Sequence, residues 1–496
     1  MAETVASKRA AKRPAKRDAR ARHRPRVRIR MYRQGIGDAF LLSFYTGPKA
    51  SHILIDCGVL GGTPDSKRWA QRIAANVAQE TGSRVNAIVG THPHWDHLSG
   101  FFDARDEFKA LRVDEVWLSW AENPQDPEGR ERTRETELQF DGARRALARL
   151  AASPDEAARA RAAAIEQILS FFGPVSAAGV RGTASALEAL RELAPDPRYC
   201  EPGDLLTPEW LPGVRIYVLA PPRDEKLLGK LLGKKGSEMY GLGADSGFYA
   251  ALLDPVAASK ASAAESAARV EAMRPFEASL HWSDERARTE TALEPVVSRY
   301  RAPDERWRAI DDQWLLAAEQ LALKLDNVVN NLSMVLAFEL TATNEVLLFA
   351  ADAQIGNWLS WQKLAWTLTD GRTRTEVRAH DLLARTVFYK VGHHGSHNAT
   401  LKDGGLEAMS HPGLVAAIPV DQQFANSTKK WDMPAESLYP HLLEKTRGRV
   451  LRADGKGPTA TDPKRRHADE RLWKAFAARV KVDLGTPSLY VDYFLP

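Results

Sequence analysis

A histidine-rich hexad constrains this chain more than any other feature of its sequence. Residues His92 to His97 read His-Pro-His-Trp-Asp-His and follow directly on the apolar run Ala87-Ile88-Val89-Gly90-Thr91. An apolar run that ends in a glycine and a polar residue is typical of a buried strand. Three imidazoles and one carboxylate together suit divalent first-row metal ions. The sequence therefore predicts a metal site in the loop that follows a strand.

Two later strand ends carry residues of the same chemistry. The apolar run 346–351 ends in Asp352, and residues 390–392 lead into the pair His393 and His394. A carboxylate has two oxygens and can bridge two cations, so Asp352 is the predicted bridging ligand. The glycines beside the histidine pair allow the backbone to approach an ion closely. Together with the hexad, these residues predict one site that binds two metal ions.

Strand patterns alternate with helical patterns along much of the chain, which predicts an α/β fold. Two stretches, at about 121–199 and 223–324, have the composition and spacing of helices. We interpret both as helical insertions in one hydrolase domain, 27–496, rather than as separate domains. Helices outside the insertions are predicted at 65–81, from Leu98 onward, and at 434–447. Strands are predicted at 27–32, 39–45, 51–58, 85–91, 113–120, 214–219, 332–340, 346–350, 384–392, 414–420, 449–452 and 488–494.

Positive charge is concentrated at the N-terminus. Residues 1–33 have a net charge of +11, whereas the whole chain carries +5. The Ala, Lys, Arg and Pro composition predicts a disordered basic arm over 1–26. Such an arm can neutralise phosphates and hold the protein on nucleic acid, although a solubilising terminus without a partner has the same composition. The candidate nucleic-acid-binding residues are Lys8, Arg9, Lys12, Arg13, Lys16 and Arg17.

Other features of the composition exclude several classes of protein. No apolar run approaches the roughly 18 residues that span a bilayer, and the basic N-terminus lacks the apolar segment of a signal peptide. The two cysteines, Cys57 and Cys200, do not make a disulfide framework. We therefore expect a cytoplasmic protein with no membrane partner, in which Cys57 is a small buried residue.

The order of the motifs along the chain resembles the metallo-β-lactamase superfamily. This resemblance rests on Asp56, the hexad, Asp352 and the pair His393-His394. It covers residues 27–120, 200–222 and 325–496, and it implies a four-layer αβ/βα sandwich with a dinuclear site at one edge. Several segments resemble in particular the soluble ComEC-type branch, named after the nuclease-like domain of a DNA-uptake channel. These segments are 35–38 (Gly-Ile-Gly-Asp), 53–58, 218–222, 330–333 and 392–396.

The resemblance also implies a role for each motif residue. His92 and His94 would hold the first ion, and Asp96 and His97 the second. Either histidine of the 393–394 pair would complete the second ion. We favour His394 because the following glycine eases its approach, which leaves His393 to face the substrate. Asp56 would support the hexad loop through hydrogen bonds. The predicted metal ligands are thus His92, His94, Asp96, His97, Asp352 and His394, and the predicted catalytic residues are Asp96, His393 and Asp56.

The chain departs from the superfamily pattern at the first ion. Most members have a further histidine shortly before the strand that leads to the bridging acid, but residues 326–333 contain none. Asn330 or Asn331 could reach the ion through an amide oxygen or a water, or could simply make hydrogen bonds within the loop. A site richer in oxygen selects zinc less strongly, so manganese or magnesium becomes plausible beside the default Zn²⁺.

Two divalent ions would lower the pKa of a bridging water and supply hydroxide at neutral pH, which predicts a hydrolase. The ComEC-type motifs and the basic arm favour a phosphodiesterase or nuclease acting on DNA or RNA. One alternative is hydrolysis of a small molecule, such as a nucleotide, a phosphorylcholine-like ester, a lactone or a thioester. Another is a non-enzymatic protein with structural metals, whose helical insertions bind a protein partner.

Overall fold

The structure, a computed structural model, describes residues 26–152, 156–175, 182–230, 289–300, 302, 313–370, 373–459 and 461–496. Two predictions lie outside these residues. One is the basic arm up to residue 25, with all six of its candidate nucleic-acid-binding residues. The other is most of the second helical insertion. Among the described helices, none is both long enough and apolar enough to cross a membrane.

The described strands fall into two large sheets and one hairpin. The first sheet has the order β16-β17-β1-β2-β3-β4-β5-β6, the second β15-β14-β13-β10-β9-β8-β7, and β11 pairs with β12. The strands are β1 (Val27–Tyr32), β2 (Phe40–Phe44), β3 (Ser51–Ile55), β4 (Arg84–Val89), β5 (Arg112–Ser119), β6 (Arg198–Cys200), β7 (Leu205–Leu206), β8 (Val214–Ala220), β9 (Val335–Leu340), β10 (Glu345–Phe349), β11 (Ala365–Asp370), β12 (Thr373–Arg378), β13 (Thr386–Lys390), β14 (Val415–Ile418), β15 (Val450–Arg452), β16 (Val480–Val482) and β17 (Tyr490–Leu495).

Helices cover the outer faces of both sheets. In the described ranges they are α1 (Ser66–Thr81), α2 (Trp95–Asp103), α3 (Arg105–Lys109), α4 (Pro127–Ala151), α5 (Glu156–Leu169), α6 (Gly182–Arg191), α7 (Glu225–Leu228), α8 (Glu294–Tyr300), α9 (Gln313–Asn331), α10 (Ile355–Trp361), α11 (Ala379–Ala384), α12 (Tyr439–Lys445) and α13 (Glu470–Ala477).

Three apolar clusters make the fold a four-layer α/β sandwich. The central cluster joins the inner faces of the two sheets, and Phe40 of β2 meets Phe349 of β10 edge to face at 5.6 Å. A second cluster packs the outer face of the first sheet against α1, α2 and α3. The third packs the outer face of the second sheet against helices that include α10 and α11. The predicted four-layer α/β sandwich is confirmed.

Parallel pairing brings the motif-bearing strand ends to one edge of the sandwich. β3 lies parallel to β4, with Ile55 opposite Val89, and β10 lies parallel to β13, with Phe349 opposite Lys390. Parallel neighbours end at the same edge of a sheet. The residues that follow β3, β4, β10 and β13 therefore meet there.

Within the first predicted insertion, the described residues 121–152 and 156–175 are largely helical. Helices α4 and α5 pack against each other and against α9, which begins near the end of the second predicted insertion. Helix α9 continues past the predicted boundary at residue 324 to Asn331. For that reason the strand predicted from Leu332 begins only at Val335.

Other element boundaries also differ from the sequence predictions. The helix predicted from Leu98 begins at Trp95, so the second half of the hexad forms its first turn. The helix predicted over 434–447 is confined to α12. Neither α10 nor the β11–β12 hairpin was predicted, because their short amphipathic segments lack a strong period.

Candidate metal centre

The hexad bends sharply between a strand and a helix. Strand β4 ends at Val89, and His94 is the residue that precedes the first turn of α2. Asp96 therefore lies in that first turn, where the positive end of the helix dipole favours a carboxylate. The side chains of His92, His94, Asp96 and His97 are all buried.

Asp56, directly after β3, holds the hexad loop. Its Oδ1 accepts a hydrogen bond from the Thr91 amide at 2.9 Å, and its Oδ2 accepts one from the Thr91 hydroxyl at 2.7 Å. The same Oδ2 lies 2.8 Å from His97 Nδ1. An N–H on Nδ1 would leave His97 Nε2 with its lone pair directed into the centre.

The glycine at the end of the β3 motif permits this close packing. A Cβ at Gly58 would lie 2.0 Å from both the carbonyl carbon and the oxygen of Asp96. No side chain fits at that distance, so residue 58 must be glycine for the hexad to rest on the end of β3.

The second half of the centre, where the second ion is predicted, is formed by the second part of the hexad and two other strand ends. His97 Nε2 lies 3.1 Å from Asp352 Oδ2. His394 Nε2 lies 2.9 Å from Asp96 Oδ2 and 3.5 Å from Asp352 Oδ2. These four side chains converge from β4, β10 and β13.

The ring of His394 is oriented by the backbone of the neighbouring strand. Its Nδ1 lies 3.1 Å from the carbonyl oxygen of Pro419, which follows β14. A carbonyl can only accept, so Nδ1 carries a proton, and in the neutral ring Nε2 keeps the lone pair that faces Asp96 and Asp352. A histidine held in this way is prepared to bind a metal ion.

The first half of the centre, where the first ion is predicted, is formed by the first two histidines of the hexad. His92 Nε2 and His94 Nδ1 lie 3.1 Å apart. Burial, reinforced by the neighbouring imidazoles, lowers the pKa of His92 well below its usual value, and burial lowers the pKa of His94 to about 3. Both rings are therefore neutral at pH 7, which is the form that binds a metal ion.

Asp38 and Lys390 are site residues that the sequence prediction missed. Lys390 Nζ lies 2.5 Å from Asp38 Oδ2 and 3.3 Å from Asp352 Oδ1. In the sequence Lys390 looks like an ordinary strand lysine, but β13 lies inside its sheet and the side chain is 1% exposed. The acid after two glycines in the 35–38 motif was the only local signal for Asp38.

Residues 326–333 lack the expected histidine, but they place an acid, Asp326, beside the first half of the centre. Asp326 Oδ1, from α9, lies 3.8 Å from His94 Nε2. Asn330 donates from Nδ2 to Asp326 Oδ2 at 3.1 Å. Asn331 bonds through its amide to Asn357 and Leu228, which is the hydrogen-bonding role that the sequence left open beside metal contact.

His393 differs from the other histidines of the centre in its exposure. Its side chain is 8% exposed, against at most 1% for His92, His94, His97 and His394. His393 and His394 both have positive φ angles, of 41° and 49°. Consecutive left-handed residues other than glycine are strained, and such strain occurs preferentially at functional sites.

Charge in the centre is dominated by carboxylates. Burial opposes a charge on His97 and His394, but the surrounding carboxylates outweigh it and raise the pKa of both rings. Despite its burial, Asp352 has a pKa well below the usual value because of His97, His394 and Lys390. Burial and two neighbouring acids raise the pKa of Asp326 well above the usual value. The excess of carboxylates therefore favours the binding of a cation in the centre.

Several polar atoms here accept or donate no hydrogen bond among the residues that the structure describes. They include His94 Nε2, Asp96 Oδ1, Asp326 Oδ1 and Asp38 Oδ1. Unpaired buried groups of this kind are costly unless a ligand satisfies them. Ligand atoms of Asp38, His97, Asp352 and His394 also lie within 4.8 Å of one another. This donor set of imidazoles and carboxylates fits a divalent metal ion.

Comparison with known proteins agrees with the geometry of the centre. A search of curated proteins found no match. The family model described as the Metallo-beta-lactamase superfamily matches residues 33–131, a segment that contains Asp38, Asp56 and the whole hexad. Residues 33–131 thus carry a metallo-β-lactamase superfamily domain match, and the remaining residues of the centre come from the chain beyond it.

Proposed function

We propose that this protein is a metal-dependent hydrolase that cleaves phosphodiester bonds in nucleic acid, with DNA the favoured substrate. The observation that carries the hydrolase proposal is the convergence of buried imidazoles and carboxylates from the ends of β3, β4, β10 and β13. Members of the superfamily matched by residues 33–131 are mostly metal-dependent hydrolases. The resemblance to the ComEC-type branch supports the choice of nucleic acid.

The ligands divide into two groups in this proposal. His92 and His94 would hold one ion, and Asp96, His97, Asp352 and His394 would hold the other, with Asp352 shared. We assign Asp96 rather than Asp38 to the second group, because Asp38 Oδ2 is paired with Lys390, whereas Asp96 Oδ2 lies 2.9 Å from the inward-facing Nε2 of His394. Two divalent cations would supply Lewis acidity and neutralise the charge that develops on a phosphoryl oxygen. Zinc is the default, and manganese or magnesium is compatible with the carboxylates.

His393 is the residue that this proposal assigns to proton transfer. Ser396 donates its hydroxyl hydrogen to Asn398 Oδ1 at 2.7 Å, and Ser396 Oγ lies 2.9 Å from His393 Nδ1. Ser396 Oγ therefore accepts from Nδ1–H, which leaves Nε2 unprotonated in the neutral ring. Burial lowers the pKa of His393, so the neutral form predominates at pH 7. Nε2 can then accept a proton from an attacking water and return it to the leaving oxygen.

Aromatic and cationic side chains beside the centre support a nucleic-acid substrate. The ring of Phe171 lies 5.5 Å from that of His94 and stacks on Trp431 at 5.3 Å with an interplanar angle of 17°. Lys429 Nζ lies 5.7 Å from the Trp431 ring. Phe171 is buried and packs on Trp431, so the partly exposed Trp431 is the ring suited to stack on a base, with the cation of Lys429 beside it to pair with a phosphate. We call Phe171, Lys429 and Trp431 the aromatic rim.

The depth of the centre favours a second candidate, hydrolysis of a small phosphoester or related ester. The histidines and acids assigned to the metal ions are at most 1% exposed. A long polymer must bring its scissile bond to such a buried centre, whereas a small ester can enter it more easily. Relative rates on nucleic acid and on a small diester distinguish the two candidates.

The test is a cleavage screen with the purified chain loaded with Zn²⁺ or Mn²⁺. Plasmid, single-stranded DNA, RNA and bis(p-nitrophenyl) phosphate are the substrates, and Asp96→Ala is the inactive control. Nucleic-acid cleavage that Asp96→Ala abolishes supports the first proposal. Turnover of the small diester alone supports the second candidate, and no turnover by metal-loaded protein contradicts both.

Deletion of residues 1–25 separates the basic arm from the chemistry. We expect weaker DNA binding and a smaller dependence of binding on salt, because fewer phosphates are neutralised. Turnover of the small diester should be unchanged. Unaltered DNA affinity across a salt series would contradict a nucleic-acid role for the arm.

A further inference from the structure

Helix α9 places a carboxylate against the outer edge of a hexad histidine. Asp326 Oδ1 lies 3.8 Å from His94 Nε2, slightly beyond hydrogen-bond length. Asn330, one turn further along the helix, donates to the other oxygen of Asp326 at 3.1 Å. This bond leaves Oδ1 on the side of the imidazole.

The two rings of the first half determine which nitrogen of His94 faces inward. Its Nδ1 lies 3.1 Å from His92 Nε2, so these two nitrogens converge on one point. A neutral imidazole carries one proton. If Nδ1 offers its lone pair to an ion at that point, the proton must be on Nε2 and directed towards Asp326.

Neither of the two facing atoms, on His94 and Asp326, has a hydrogen-bond partner in the described part of the chain. His94 Nε2 and Asp326 Oδ1 make no hydrogen bond with any described residue. Phe171 and Phe172 flank the ring of His94 at centroid distances of 5.5 and 5.1 Å. Side chains from the first predicted insertion and from the C-terminal part of α9 therefore surround this one histidine.

The second half of the centre contains the same arrangement in a tighter form. There Asp56 Oδ2 lies 2.8 Å from His97 Nδ1, and His97 Nε2 faces the convergent acids. In metal sites, a carboxylate that accepts from the outer nitrogen of a histidine fixes the ring and strengthens it as a ligand.

We propose that Asp326 is the positioning residue of His94, with its Oδ1 accepting Nε2–H so that Nδ1 is held beside His92 Nε2 as a metal ligand. This inference rests on the proposed function, since it needs the metal centre. It makes α9, which begins within the second predicted insertion, part of the centre.

The experiment measures metal binding rather than activity. Metal-free wild type, Asp326→Ala, Asp326→Asn and His94→Ala are titrated with Zn²⁺ by equilibrium dialysis, and the same proteins are titrated with Co²⁺ by absorption. Leu323→Ala is the matched control, because Leu323 lies on the same helix and is 44% exposed. Circular dichroism of each variant establishes that it is folded.

We expect wild type and Leu323→Ala to bind two ions. Asp326→Ala should retain one tight ion and bind the other about 10- to 100-fold more weakly. Asp326→Asn keeps an accepting oxygen and should lie between the two, which a merely structural role would not produce; it also serves if Asp326→Ala does not fold.

Two results would overturn the inference, and they differ from each other. If Asp326→Ala and Asp326→Asn bind both ions with wild-type affinity while His94→Ala loses one, the positioning role is wrong and the metal centre stands. If wild type binds no ion, the proposed function fails together with this inference.

Discussion

The ammonium of Lys390 lies 2.5 Å from the carboxylate of Asp38 inside the protein. It also donates to the carbonyl oxygen of Ala351 at 2.6 Å and lies 3.3 Å from Asp352, and both acids are about as deeply buried as the lysine. These acids raise the pKa of Lys390 although burial opposes it. The lysine thus offsets part of the negative charge gathered at the centre.

Replacing this lysine should destabilise the protein. Lys390→Met leaves Asp38 and Asp352 without their cation, and loss of one partner from a buried pair costs about 3–5 kcal/mol. Urea unfolding of metal-free protein measures the loss. Added Zn²⁺ or Mn²⁺ should recover part of it in the variant, because a bound cation replaces the missing charge. Equal stability of variant and wild type would show that the pair contributes nothing.

Asp56→Asn should weaken metal binding while preserving the backbone. Asp56 has a φ angle of 56°, which asparagine tolerates well. The amide cannot satisfy both Thr91 and His97 as the carboxylate does, so the ring of His97 is held less firmly. We expect a metal affinity about 10- to 100-fold lower. Dialysis against Zn²⁺ gives the value, and an unchanged affinity would refute the role of Asp56.

A buried acid far from the centre should make stability depend on pH. Glu339 is 2% exposed and accepts hydrogen bonds from Tyr217 at 2.7 Å, from Arg215 and from Arg385. Although burial opposes it, this pairing lowers the pKa of Glu339 below its usual 4.5. The stabilisation is therefore complete above about pH 4.5 and is lost as the pH falls through the lowered pKa.

Glu339→Gln isolates that contribution. The variant should be about 1–3 kcal/mol less stable than wild type at pH 7, and the difference should shrink as the solution is acidified. Parallel urea titrations of the two proteins measure it, so that acid effects elsewhere cancel. A difference that is constant with pH would contradict the assignment.

The aromatic rim should matter for nucleic acid and not for a small diester. Trp431→Ala removes a ring, and loss of base stacking costs about 1–3 kcal/mol. We expect KM for single-stranded DNA to rise by about tenfold, at 1.4 kcal/mol per factor of ten. Steady-state kinetics on bis(p-nitrophenyl) phosphate is the internal control. Parallel losses on both substrates would assign Trp431 a structural role instead.

The sequence predicts best those residues of the centre that directly follow a recognisable strand. They are Asp56, the hexad, Asp352 and the 393–394 pair, and parallel pairing brings the ends of their strands together. The four-layer sandwich follows from the same alternation of strands and helices.

Residues whose role depends on tertiary packing could not be predicted in this way. Lys390 looks like an ordinary strand lysine, and only its place on an interior strand buries it beside Asp38. Asp326 lies on a helix that begins within the second predicted insertion and runs past its boundary, and only the packing of that helix, α9, brings it to His94. Asn331 neighbours the right region, but its amide is used by Asn357 and Leu228.

The metal content of the purified chain is the property on which the proposed centre most depends. Purified protein is stripped of metal, dialysed against Zn²⁺ or Mn²⁺, and subjected to elemental analysis beside Asp352→Ala, which removes the shared ligand. The account predicts two ions per chain in the wild type and a clear loss in the variant. A wild-type chain that binds no ion, or an Asp352→Ala chain that binds two as tightly as the wild type, would contradict it.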